Sequence, residues 1–511
     1  MMENQKTAFF WEGEGKEEKL AFGEVEQLAS QFAHLLIKEG VNRGDRVFFF
    51  LPRIPELYFG FLGAQKTGAI TGAFFAALGP QALFDRLHNA GAKVLVTNKQ
   101  LYERVRSIRF KLPALKKIIL IEDGFRQQLQ RYPSDFKQIK LAPEEPNLML
   151  YTSATGNTPV CGIVLPQKAL KWQIESAKLV LDLKEHDVYW CTADPGWVTG
   201  TVYGLLVPWH LGITQVIYAG RFAADKWYYL MEKYQVSVLY TAPTALRLLQ
   251  QEDSAKIKPN LSSLRQVCSV GEALTPASWT WFKRKFNLEI HDTWWQTETG
   301  SMMIANYSQM KIKPGSMGKP LPWVKAAIID EKGKELPTHQ TGFLGLKPPI
   351  ESGLIDIWQK SENLKRYFKN AWYYSGDLAY RDEEDYFWFV GRADEVIKTS
   401  GERVGAFEVE RVLADHPAVL ETAVIGKPDE MRGEVIKAFV VLQKNYQPSE
   451  ALTRELQVFT KEKLAGHAYP REIEYVKSLP KNRAGKIVRR LLKAKELGLP
   501  IGNTSTVQHG F

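Results

Sequence analysis

Short apolar runs of strand length recur between Val47 and Thr293, and helical patterns separate several of them. The predicted strands are residues 47–51, 94–96, 118–121, 216–218, 236–240, 267–270 and 290–293. Residues 20–41 illustrate the helical pattern, because apolar side chains recur at helical spacing from Val25 to Leu36 and Gly40 then supplies a stop. Strands that alternate with helices predict α/β layers with mainly parallel sheets.

The later part of the chain has a different pattern. A chain of 511 residues exceeds one compact core, so at least two domains are expected. From about Ile328, shorter and turn-rich strands predict an antiparallel or barrel-like β region. After Asp394 a lysine-rich α+β unit follows, with helices predicted at 407–415 and 451–464 and strands at 423–425 and 438–442. We therefore predict a large α/β domain at 1–393 and a small domain at 394–511.

Composition excludes several classes of protein. Apolar residues make up 45% of the chain and charged residues 24%, as in an ordinary globular enzyme. No apolar run approaches the length of a membrane span, and the residues after Met1 show no secretory signal pattern. The three cysteines, Cys161, Cys191 and Cys268, form no CxxC pair and suit a reducing compartment. We expect a soluble cytoplasmic protein without a membrane partner.

The net charge of +10 has two interpretations, a slightly basic surface or a chain that binds polyanions. The basic residues cluster at 477–490 and, more thinly, at Arg104, Arg106 and Arg109. Nucleotide and phosphopantetheine ligands explain these clusters as well as nucleic acid does, and the chain has no zinc ribbon or RNA-recognition signature. We expect small-molecule substrates and no nucleic-acid partner, while the oligomeric state stays open.

Residues 291–300, His-Asp-Thr-Trp-Trp-Gln-Thr-Glu-Thr-Gly, form the most informative polar cluster. A single carboxylate, Glu298, follows two adjacent indoles, Trp294 and Trp295. This arrangement suits a site that holds a magnesium–triphosphate at one end and a very small apolar group at the other. The cluster and the segment 269–273 lie at or just past predicted strand ends, where parallel sheets bind ligands.

Joining a carboxylic acid to a thiol requires a better leaving group than a carboxylate oxygen, and an acyl ester of AMP supplies one. Such a site must hold a triphosphate and an adenosine, and must screen the transferring charge with a metal and a cation. The candidates are Thr152, Ser153 and Thr155 for the phosphates, Asp377 for both ribose hydroxyls, Arg392 and Arg403 for ribose and phosphate, and Lys486 for the cation. Each of these residues alone is equally typical of a solvated surface.

Together and in this order, these segments resemble the AMP-forming acyl-CoA synthetases, a family of adenylating enzymes. The resemblance extends from Phe10 to Arg490, and its most specific motifs are residues 294–300, 391–394, 400–403 and 485–486. Residues 191–200 and 313–320 are most similar to the acetyl-CoA synthetases within the family. The resemblance implies a Mg²⁺-dependent ligase that converts acetate and ATP to acetyl-AMP and pyrophosphate, and then forms acetyl-CoA and AMP. A synthetase for propionate or another short acid is the alternative within the same chemistry.

The resemblance also implies roles for individual residues. Glu298 would bind magnesium and Thr297 the α-phosphate, while the segment 271–273 would line the adenine, with Ala273 where the family usually has proline. The full set of expected ATP- and AMP-binding residues is Thr152, Ser153, Thr155, Gly271, Glu272, Ala273, Asp292, Thr293, Trp294, Trp295, Gln296, Thr297, Asp377, Arg392 and Arg403.

The small domain is expected to move and to carry a catalytic lysine. Lys486 would reach in to stabilise the adenylation transition state together with Arg392, and Asp394 would be the hinge about which the domain swings. The expected CoA-binding residues are Thr199, Ser400, Gly401, Arg104, Arg106 and Lys461. Backbone carbonyls at Ala414, His416 and Val419 are candidates for a second cation.

The bulk of Trp295 predicts a small substrate. An indole at the floor of the acyl pocket fills the space that longer-chain relatives leave open, with Val198, Thr199 and Val270 as the remaining walls. Because one methylene is discriminated by only about 1–3 kcal/mol, we expect propionate to react as well. Two core tryptophans after a strand are the alternative interpretation.

The phosphate loop departs from the family pattern Tyr-Thr-Ser-Gly-(Ser/Thr)-Thr-Gly-x-Pro-Lys-Gly. Without a gap, Ala154, Asn157 and Cys161 replace glycines and Val160 replaces the lysine. A gapped register restores Thr155, Gly156 and Gly162 but still leaves no lysine. Losing one preorganised donor to a transition state costs roughly 10²–10³ in rate. A nucleotide- or CoA-binding protein without ligase activity is therefore the alternative from a different class.

Overall fold

The computed structural model describes residues 4–152, 161–252, 259–354, 356–359, 361–399, 402–464, 467–481 and 487–499. The chain divides into two compact units. Unit 1 comprises Met1–Gly271, Phe282–Ile312 and Pro349–Lys365, and unit 2 comprises Glu272–Trp281, Lys313–Pro348 and Arg366–Phe511. The predicted mixed α/β class is confirmed, whereas the domain boundary at Asp394 stays a prediction.

The strands in chain order are β1 (Thr7–Gly13), β2 (Lys16–Ala21), β3 (Arg46–Phe50), β4 (Ile70–Ala73), β5 (Val94–Asn98), β6 (Lys117–Ile121), β7 (Pro146–Tyr151), β8 (Gly162–Pro166), β9 (Val188–Cys191), β10 (Thr214–Tyr218), β11 (Val238–Thr241), β12 (Gln266–Val270), β13 (Ile290–Trp294), β14 (Ile304–Ala305), β15 (Lys319–Pro320), β16 (Ala326–Ile329), β17 (Gly342–Leu346), β18 (Asp356–Ile357), β19 (Phe368–Lys369), β20 (Trp372–Arg381), β21 (Phe387–Arg392), β22 (Val396–Thr399), β23 (Glu402–Gly405), β24 (Val419–Asp429), β25 (Gly433–Leu442) and β26 (Glu472–Tyr475). The α-helices are α1 (Phe22–Lys38), α2 (Pro55–Lys66), α3 (Pro80–Ala90), α4 (Lys99–Arg106), α5 (Phe125–Leu129), α6 (Ala169–Val180), α7 (Val198–Thr201), α8 (Val207–Leu211), α9 (Ala224–Lys233), α10 (Pro243–Gln251), α11 (Pro276–Phe286), α12 (Ala406–Ala414), α13 (Glu450–Lys463) and α14 (Arg489–Glu496).

The first sheet of unit 1 contains the strand sequence β14-β13-β12-β11-β9-β10-β1-β2. Its neighbours from β13 to β1 are all parallel, and β14 and β2 join the series antiparallel. The predicted strands 216–218, 236–240, 267–270 and 290–293 are β10 to β13, so these predictions are confirmed. Parallel strands place their carboxyl ends at one edge, which is where the candidate site begins.

The second sheet of unit 1 has the order β18-β8-β7-β4-β3-β5-β6. Strands β7, β4, β3, β5 and β6 are parallel, and β8 and β18 complete the sheet antiparallel. Phe48, Phe50 and Leu95 contribute to a buried cluster on this sheet. The helix predicted at 20–41 is α1, which ends shortly before Gly40 with φ of +81°. The predicted strands 47–51, 94–96 and 118–121 are confirmed as β3, β5 and β6.

Unit 2 is built on two largely antiparallel sheets, as predicted from its turn-rich sequence, but β20, β24 and β25 are longer than the predicted short strands. One has the order β16-β17-β20-β19 with β21 paired to β20, and the other has the order β23-β22-β25-β24 with β26 parallel to β25. Helices α12 and α13 cover the second sheet, with Val409 and Leu456 packed against Val440. These elements confirm the α+β pattern predicted after Asp394.

None of the helices in the described ranges combines the length and the apolar character that a membrane crossing requires. Within the described ranges, Cys161, Cys191 and Cys268 form no disulfide bond.

Candidate functional site

Strands β12 and β13 end side by side at one edge of the first sheet. They are parallel neighbours, with Val270 opposite Thr293. Residues 291–300 therefore pass from β13 into the loop beyond this edge, where parallel sheets bind ligands. Gly271 leaves β12 with φ of +90°, in the left-handed region that favours glycine. The structure thus brings together the two strand-end segments that the sequence singles out in unit 1.

The Trp295 side chain is buried, with 9% of its surface exposed, and two tyrosines hold it. Its Nε1–H donates to Oη of Tyr240 at 3.2 Å. The ring of Tyr203 is nearly perpendicular to the indole, with ring centroids 5.1 Å apart and planes at 81°, which is a favourable aromatic arrangement. Tyr203 and Tyr240 are themselves fully buried. A buried indole with a paired N–H is a firm surface, as an acyl-pocket floor requires.

The predicted pocket walls Val198 and Thr199 lie in α7, a single helical turn, and both are half-buried. The chain continues from α7 as a π-helical turn, Val202–Leu206, which contains Tyr203. Pro208 explains the widened turn, because a proline has no N–H to donate and its ring displaces the carbonyl of residue i−4. π-helical turns occur frequently at functional sites.

The loop before α7 is fixed around Asp194. The Gly196 N–H donates to Oδ1 of Asp194 at 2.8 Å, and Nε of Arg53 lies 3.9 Å from Oδ2. Burial raises the pKa of the Asp194 carboxyl, and Arg53 opposes that rise. The backbone approaches itself so closely that a Cβ on Gly200 would lie 2.1 Å from the carbonyl oxygen of Asp194. Glycine is therefore required at the position that follows Thr199.

Thr297–Thr299 form one turn of 3₁₀-helix just after the two indoles. Thr297 and Glu298 are half-buried on this turn, whereas Thr299 is buried. The Thr299 hydroxyl donates to the carbonyl oxygen of Gln296 at 2.9 Å and accepts from the Gln296 N–H at 3.0 Å. The Leu354 N–H donates to the carbonyl oxygen of Glu298 at 2.8 Å. The turn is thus anchored through its backbone and through Thr299.

A second set of contacts holds the end of this turn. Gly300 has φ of +71°, and a Cβ there would lie 1.9 Å from the carbonyl oxygen of Ser352. The Ser352 hydroxyl donates to the Thr299 carbonyl oxygen at 2.6 Å, and Nε2 of Gln173 donates to the Gly300 carbonyl oxygen at 2.9 Å. Gly300, the last residue of the polar cluster 291–300, therefore packs tightly against the loop that contains Ser352.

Glu298 presents one hard oxygen ligand suited to magnesium. In the part of the chain that the structure describes, no three His, Cys, Asp or Glu residues group closely enough to enclose a metal. Mg²⁺ is usually bound through one or two carboxylates, substrate phosphates and water rather than by an all-protein cage. A half-buried carboxylate such as Glu298 fits this pattern of ligands, and its magnesium-binding role stays a prediction.

The side chains of Asp292 and Thr293 are engaged inside the sheet. Oδ1 of Asp292 accepts from the Ser269 hydroxyl at 2.5 Å, and Oγ1 of Thr293 donates to the Ser269 carbonyl oxygen at 2.7 Å. Both residues are buried, as is Trp294, and Gln296 is half-buried. Their predicted nucleotide-binding role stays a prediction, and for Thr293 it would have to use the backbone.

In unit 2, Asp377 and Arg392 pair across β20 and β21. Nη1 of Arg392 donates to Oδ1 of Asp377 at 2.9 Å, and its Nε donates to Oδ1 of Asp394 at 3.3 Å. Burial lowers the pKa of the Arg392 guanidinium, but the two carboxylates outweigh that effect and raise it above its usual value. The structure thus joins three of the predicted residues of unit 2 in one cluster. Glu272 and Ala273, also in unit 2, are half-buried.

Several predicted residues lie outside the described residues. They are Ser153 and Thr155 of the phosphate loop, together with Ala154, Asn157 and Val160, as well as Ser400, Gly401 and Lys486 and the side chain of Arg403. Thr152 is described, half-buried, directly after β7.

The residues expected to bind coenzyme A have distinct surroundings. Nη1 of Arg104 donates to the carbonyl oxygens of Ala76 and Leu78, at 2.8 and 3.1 Å. Arg106 is largely exposed on the same helix, α4. Lys461 lies in the last turn of α13, in unit 2. Arg104 therefore supports a loop of unit 1, a use of this side chain that the sequence does not suggest.

The proposed backbone cation site lies where α12 gives way to β24. The carbonyl oxygen of His416 accepts from the Val419 N–H at 3.0 Å. The His416 ring is buried, with Nδ1 3.2 Å from the Ala418 N–H and Nε2 3.2 Å from Oε1 of Glu455. One lone pair of the His416 carbonyl is therefore already used, and the cation-binding role of Ala414, His416 and Val419 stays a prediction.

Tyr203, Tyr240 and Ser352 contact the site but were missed by sequence reasoning. For Tyr240 the sequence does contain a signal, a hydroxyl near the carboxyl end of an apolar strand, where site residues of parallel sheets lie. The sequence contains no signal for Ser352, because only the fold brings its loop against Gly300.

Two family models match the chain: the AMP-binding enzyme at residues 2–349 and the AMP-binding enzyme C-terminal domain at residues 408–486. The acetyl-coenzyme A synthetase of Bacillus subtilis (strain 168) is 48% identical, over 98% of the chain and 90% of that protein. The acetyl-coenzyme A synthetase of Pyrobaculum aerophilum is 36% identical, over 98% of the chain and 82% of that protein. Among solved structures, the anthranilate CoA ligase AuaEII in complex with anthranoyl-AMP has a TM-score of 0.89 at 30% identity, covering 96% of the chain and 94% of that structure.

Proposed function

We propose that this chain, which belongs to the AMP-binding enzyme family, is a ligase that joins acetate to coenzyme A through an acetyl-adenylate. Acetate oxygen attacks the α-phosphate of ATP and displaces pyrophosphate. The thiolate of coenzyme A then attacks the acetyl carbonyl carbon, and AMP leaves. The matches to the two family models confirm the family resemblance seen in the sequence. The matched acetyl-coenzyme A synthetases support acetate as the acid.

The observation that carries the proposal is the buried indole of Trp295 at the end of β13. It is paired through Nε1 to Tyr240 and bounded by the ring of Tyr203, so it presents a firm surface next to the turn that carries Thr297 and Glu298. A short acyl group against the indole would leave its carboxylate near the α-phosphate. The half-buried Val198 and Thr199 and the buried Val270 would complete the walls.

The remaining roles follow from the chemistry of the side chains. Thr297 would donate to the α-phosphate, and Glu298 would hold the Mg²⁺ that screens the phosphate charge. Asp377 would accept both ribose hydroxyls, and Arg392, kept fully charged by its carboxylate neighbours, would contact ribose and phosphate. Lys486 would stabilise the developing charge during adenylation. We place this reaction in the cytoplasm, since three cysteines without a CxxC pair suit a reducing compartment.

The acyl-adenylate half-reaction can be tested by acetate-dependent exchange of labelled pyrophosphate into ATP. The proposal expects exchange with acetate, weaker exchange with propionate and none with long-chain acids. The phosphate loop has no lysine between Tyr151 and Gly162, so a slow rate is compatible with the proposal. Absence of exchange with every acid, while acetyl-AMP still binds, would assign the chain to a nucleotide-binding protein without ligase activity.

Lys486→Ala separates the two half-reactions. The variant is expected to lose pyrophosphate exchange, because the cation acts on the phosphoryl transfer, yet to keep thioester formation from supplied acetyl-AMP and coenzyme A. Equal loss in both assays would contradict the role given to Lys486.

A further inference from the structure

We propose that Tyr240 and Thr293 are specificity-determining positioning residues, which hold the Trp295 indole in one orientation and thereby set the upper limit on acyl-chain length. The inference rests on the proposed function. It adds the hydrogen bonds that keep the Trp295 indole, the proposed pocket floor, in one position.

The donor and acceptor of each hydrogen bond between Trp295, Tyr240 and Thr293 follow from the chemistry of their side chains. Oγ1 of Thr293 lies 2.7 Å from the carbonyl oxygen of Ser269, which accepts only, so the single hydroxyl proton of Thr293 points there. Oη of Tyr240 lies 2.9 Å from Oγ1 of Thr293 and must therefore donate to it. The same Oη accepts from Nε1 of Trp295 at 3.2 Å. These three bonds form one hydrogen-bond relay, which runs from the indole N–H through the hydroxyls of Tyr240 and Thr293 to the carbonyl oxygen of Ser269 in β12.

A second relay fixes the other boundary of the indole. The Ser176 hydroxyl donates to the carbonyl oxygen of Gln173 at 2.9 Å, so Oη of Tyr203, 2.8 Å from the Ser176 Oγ, donates to Ser176. The Met302 N–H donates to the same Oη at 2.9 Å. The Tyr203 ring is thus held at its hydroxyl end, and it stands nearly perpendicular to both the indole and the ring of Tyr240, whose centroid is 5.8 Å away at 89°.

The two relays differ in what their loss would do. Tyr203 blocks the indole sterically, whereas Tyr240 supplies the acceptor that fixes its tilt. Without that acceptor, the indole N–H is left buried and unpaired, which strongly disfavours the present orientation. The indole would then tilt toward any acceptor or water within the acyl pocket, and the floor would no longer stop a chain at a fixed depth.

Tyr240→Phe tests the inference because it removes the acceptor and keeps the ring. We expect the acetate-to-butyrate ratio of kcat/KM in pyrophosphate exchange to fall by about tenfold, the scale on which pocket fit discriminates a methylene. The change should come from a higher KM for acetate and a lower KM for butyrate, with the KM for ATP unchanged. Trp295→Ala, which removes the floor itself, sets the maximal loss of selectivity.

Tyr189→Phe is the matched control. Tyr189 is also fully buried and lies on the neighbouring strand β9, and its hydroxyl has no nitrogen or oxygen partner among the described residues. This variant is expected to keep the wild-type ratio. A Tyr240→Phe ratio that stays within about twofold of wild type, less than one methylene is worth, would overturn the inference.

Thr293 supplies an independent pair of variants. Thr293→Ser keeps the relay hydroxyl and should keep the selectivity, whereas Thr293→Val leaves the Tyr240 proton without its acceptor and should lower the ratio. Equal ratios in the two variants would contradict the relay even if Tyr240→Phe fails to fold.

Calorimetric titration with the unreactive acetyl- and butyryl-sulfamoyl adenosines measures the same selectivity without turnover. If the wild-type chain exchanges pyrophosphate with no acid, the proposed function fails. The ratio of the two analogue affinities in Tyr240→Phe and wild type still tests the positioning of the indole, so the two failures are distinguishable.

Discussion

Arg392 lies directly opposite Asp377 on the antiparallel strands β21 and β20, with its Nη1 2.9 Å from Oδ1 of Asp377. The Asp377 carboxylate is nearly fully buried, while the guanidinium retains partial access to solvent. The Asp377 N–H also donates to the hydroxyl of Ser375 at 3.1 Å. Arg392 thus orients the carboxylate and Ser375 holds the backbone of the same residue, which suits the proposed recognition of two adjacent ribose hydroxyls.

Asp377→Asn should therefore weaken ATP binding more than acetate binding. The amide keeps the volume but removes the charge, and a hydrogen bond to a charged group is worth about 1.5–3 kcal/mol, or roughly 10- to 100-fold in KM for ATP. Measuring both KM values in pyrophosphate exchange checks the prediction. Asp385→Asn, an exposed carboxylate of the same unit that pairs with Arg381, should change neither. A selective rise in the KM for acetate would contradict the assignment.

Glu410 and Arg489 form a buried ion pair that ties α14 to α12. Oε1 and Oε2 of Glu410 accept from Nε and Nη2 of Arg489 at 2.8 and 2.5 Å, and Oε1 also accepts from the Val424 N–H at 2.8 Å. Glu410→Ala should lower the free energy of unfolding of this part of unit 2 by about 3 kcal/mol, the lower end of the range for breaking a buried pair, because the arginine keeps only the contact of its Nη1 with Oε2 of Glu395 at 3.3 Å.

Urea denaturation followed by fluorescence measures this loss. Glu450→Ala is the matched control: Glu450 is also helical and paired to an arginine, Arg454, but its side chain is 92% exposed, so the expected loss is below about 1 kcal/mol. Similar losses for both variants would show that burial does not strengthen the Glu410 pair.

Gly300→Ala should damage the turn that carries Thr297 and Glu298. A left-handed φ costs an L-residue roughly 1–2 kcal/mol, and the new Cβ would also lie 1.9 Å from the carbonyl oxygen of Ser352. Gly15→Ala isolates the first effect, since Gly15 has φ of +73° and nothing lies within 4 Å of its Cβ position. We expect Gly300→Ala alone to lower kcat, with a larger fall in the melting temperature. Equal effects in the two variants would rule out the steric contribution of Ser352.

The strands and the edge at which the site lies could be predicted, because both depend on local patterns. Apolar runs mark β3, β5, β12 and β13, and parallel pairing then fixes where their carboxyl ends meet. The partners of the site could not be predicted in the same way. Whether the Thr293 hydroxyl faces a ligand or the interior depends on the carbonyl oxygen that β12 offers at Ser269, and no local pattern in the sequence reveals that pairing. The contact of Ser352 with Gly300 likewise joins segments that share no local pattern.

Acidification should destabilise unit 1 through His291, whose side chain is half-buried. This burial lowers the pKa of the His291 imidazole below the ordinary value of 6.5. Its Nδ1 lies 2.8 Å from the carbonyl oxygen of Asn306, so Nδ1 carries the proton of a neutral imidazole. The native protein therefore binds fewer protons than the unfolded chain between pH 6.5 and the lower folded pKa. The free energy of unfolding falls as pH falls through this window, with a slope approaching about 1.4 kcal/mol per pH unit.

Urea denaturation of wild type and His291→Gln between about pH 7.5 and 5.5 measures this slope, because the difference between the two proteins cancels all other titrating groups. The variant should lose stability at neutral pH, where the His291 hydrogen bond is intact, and should show a shallower decline on acidification. A His291→Gln slope equal to that of wild type would mean that His291 titrates alike in the folded and unfolded chain.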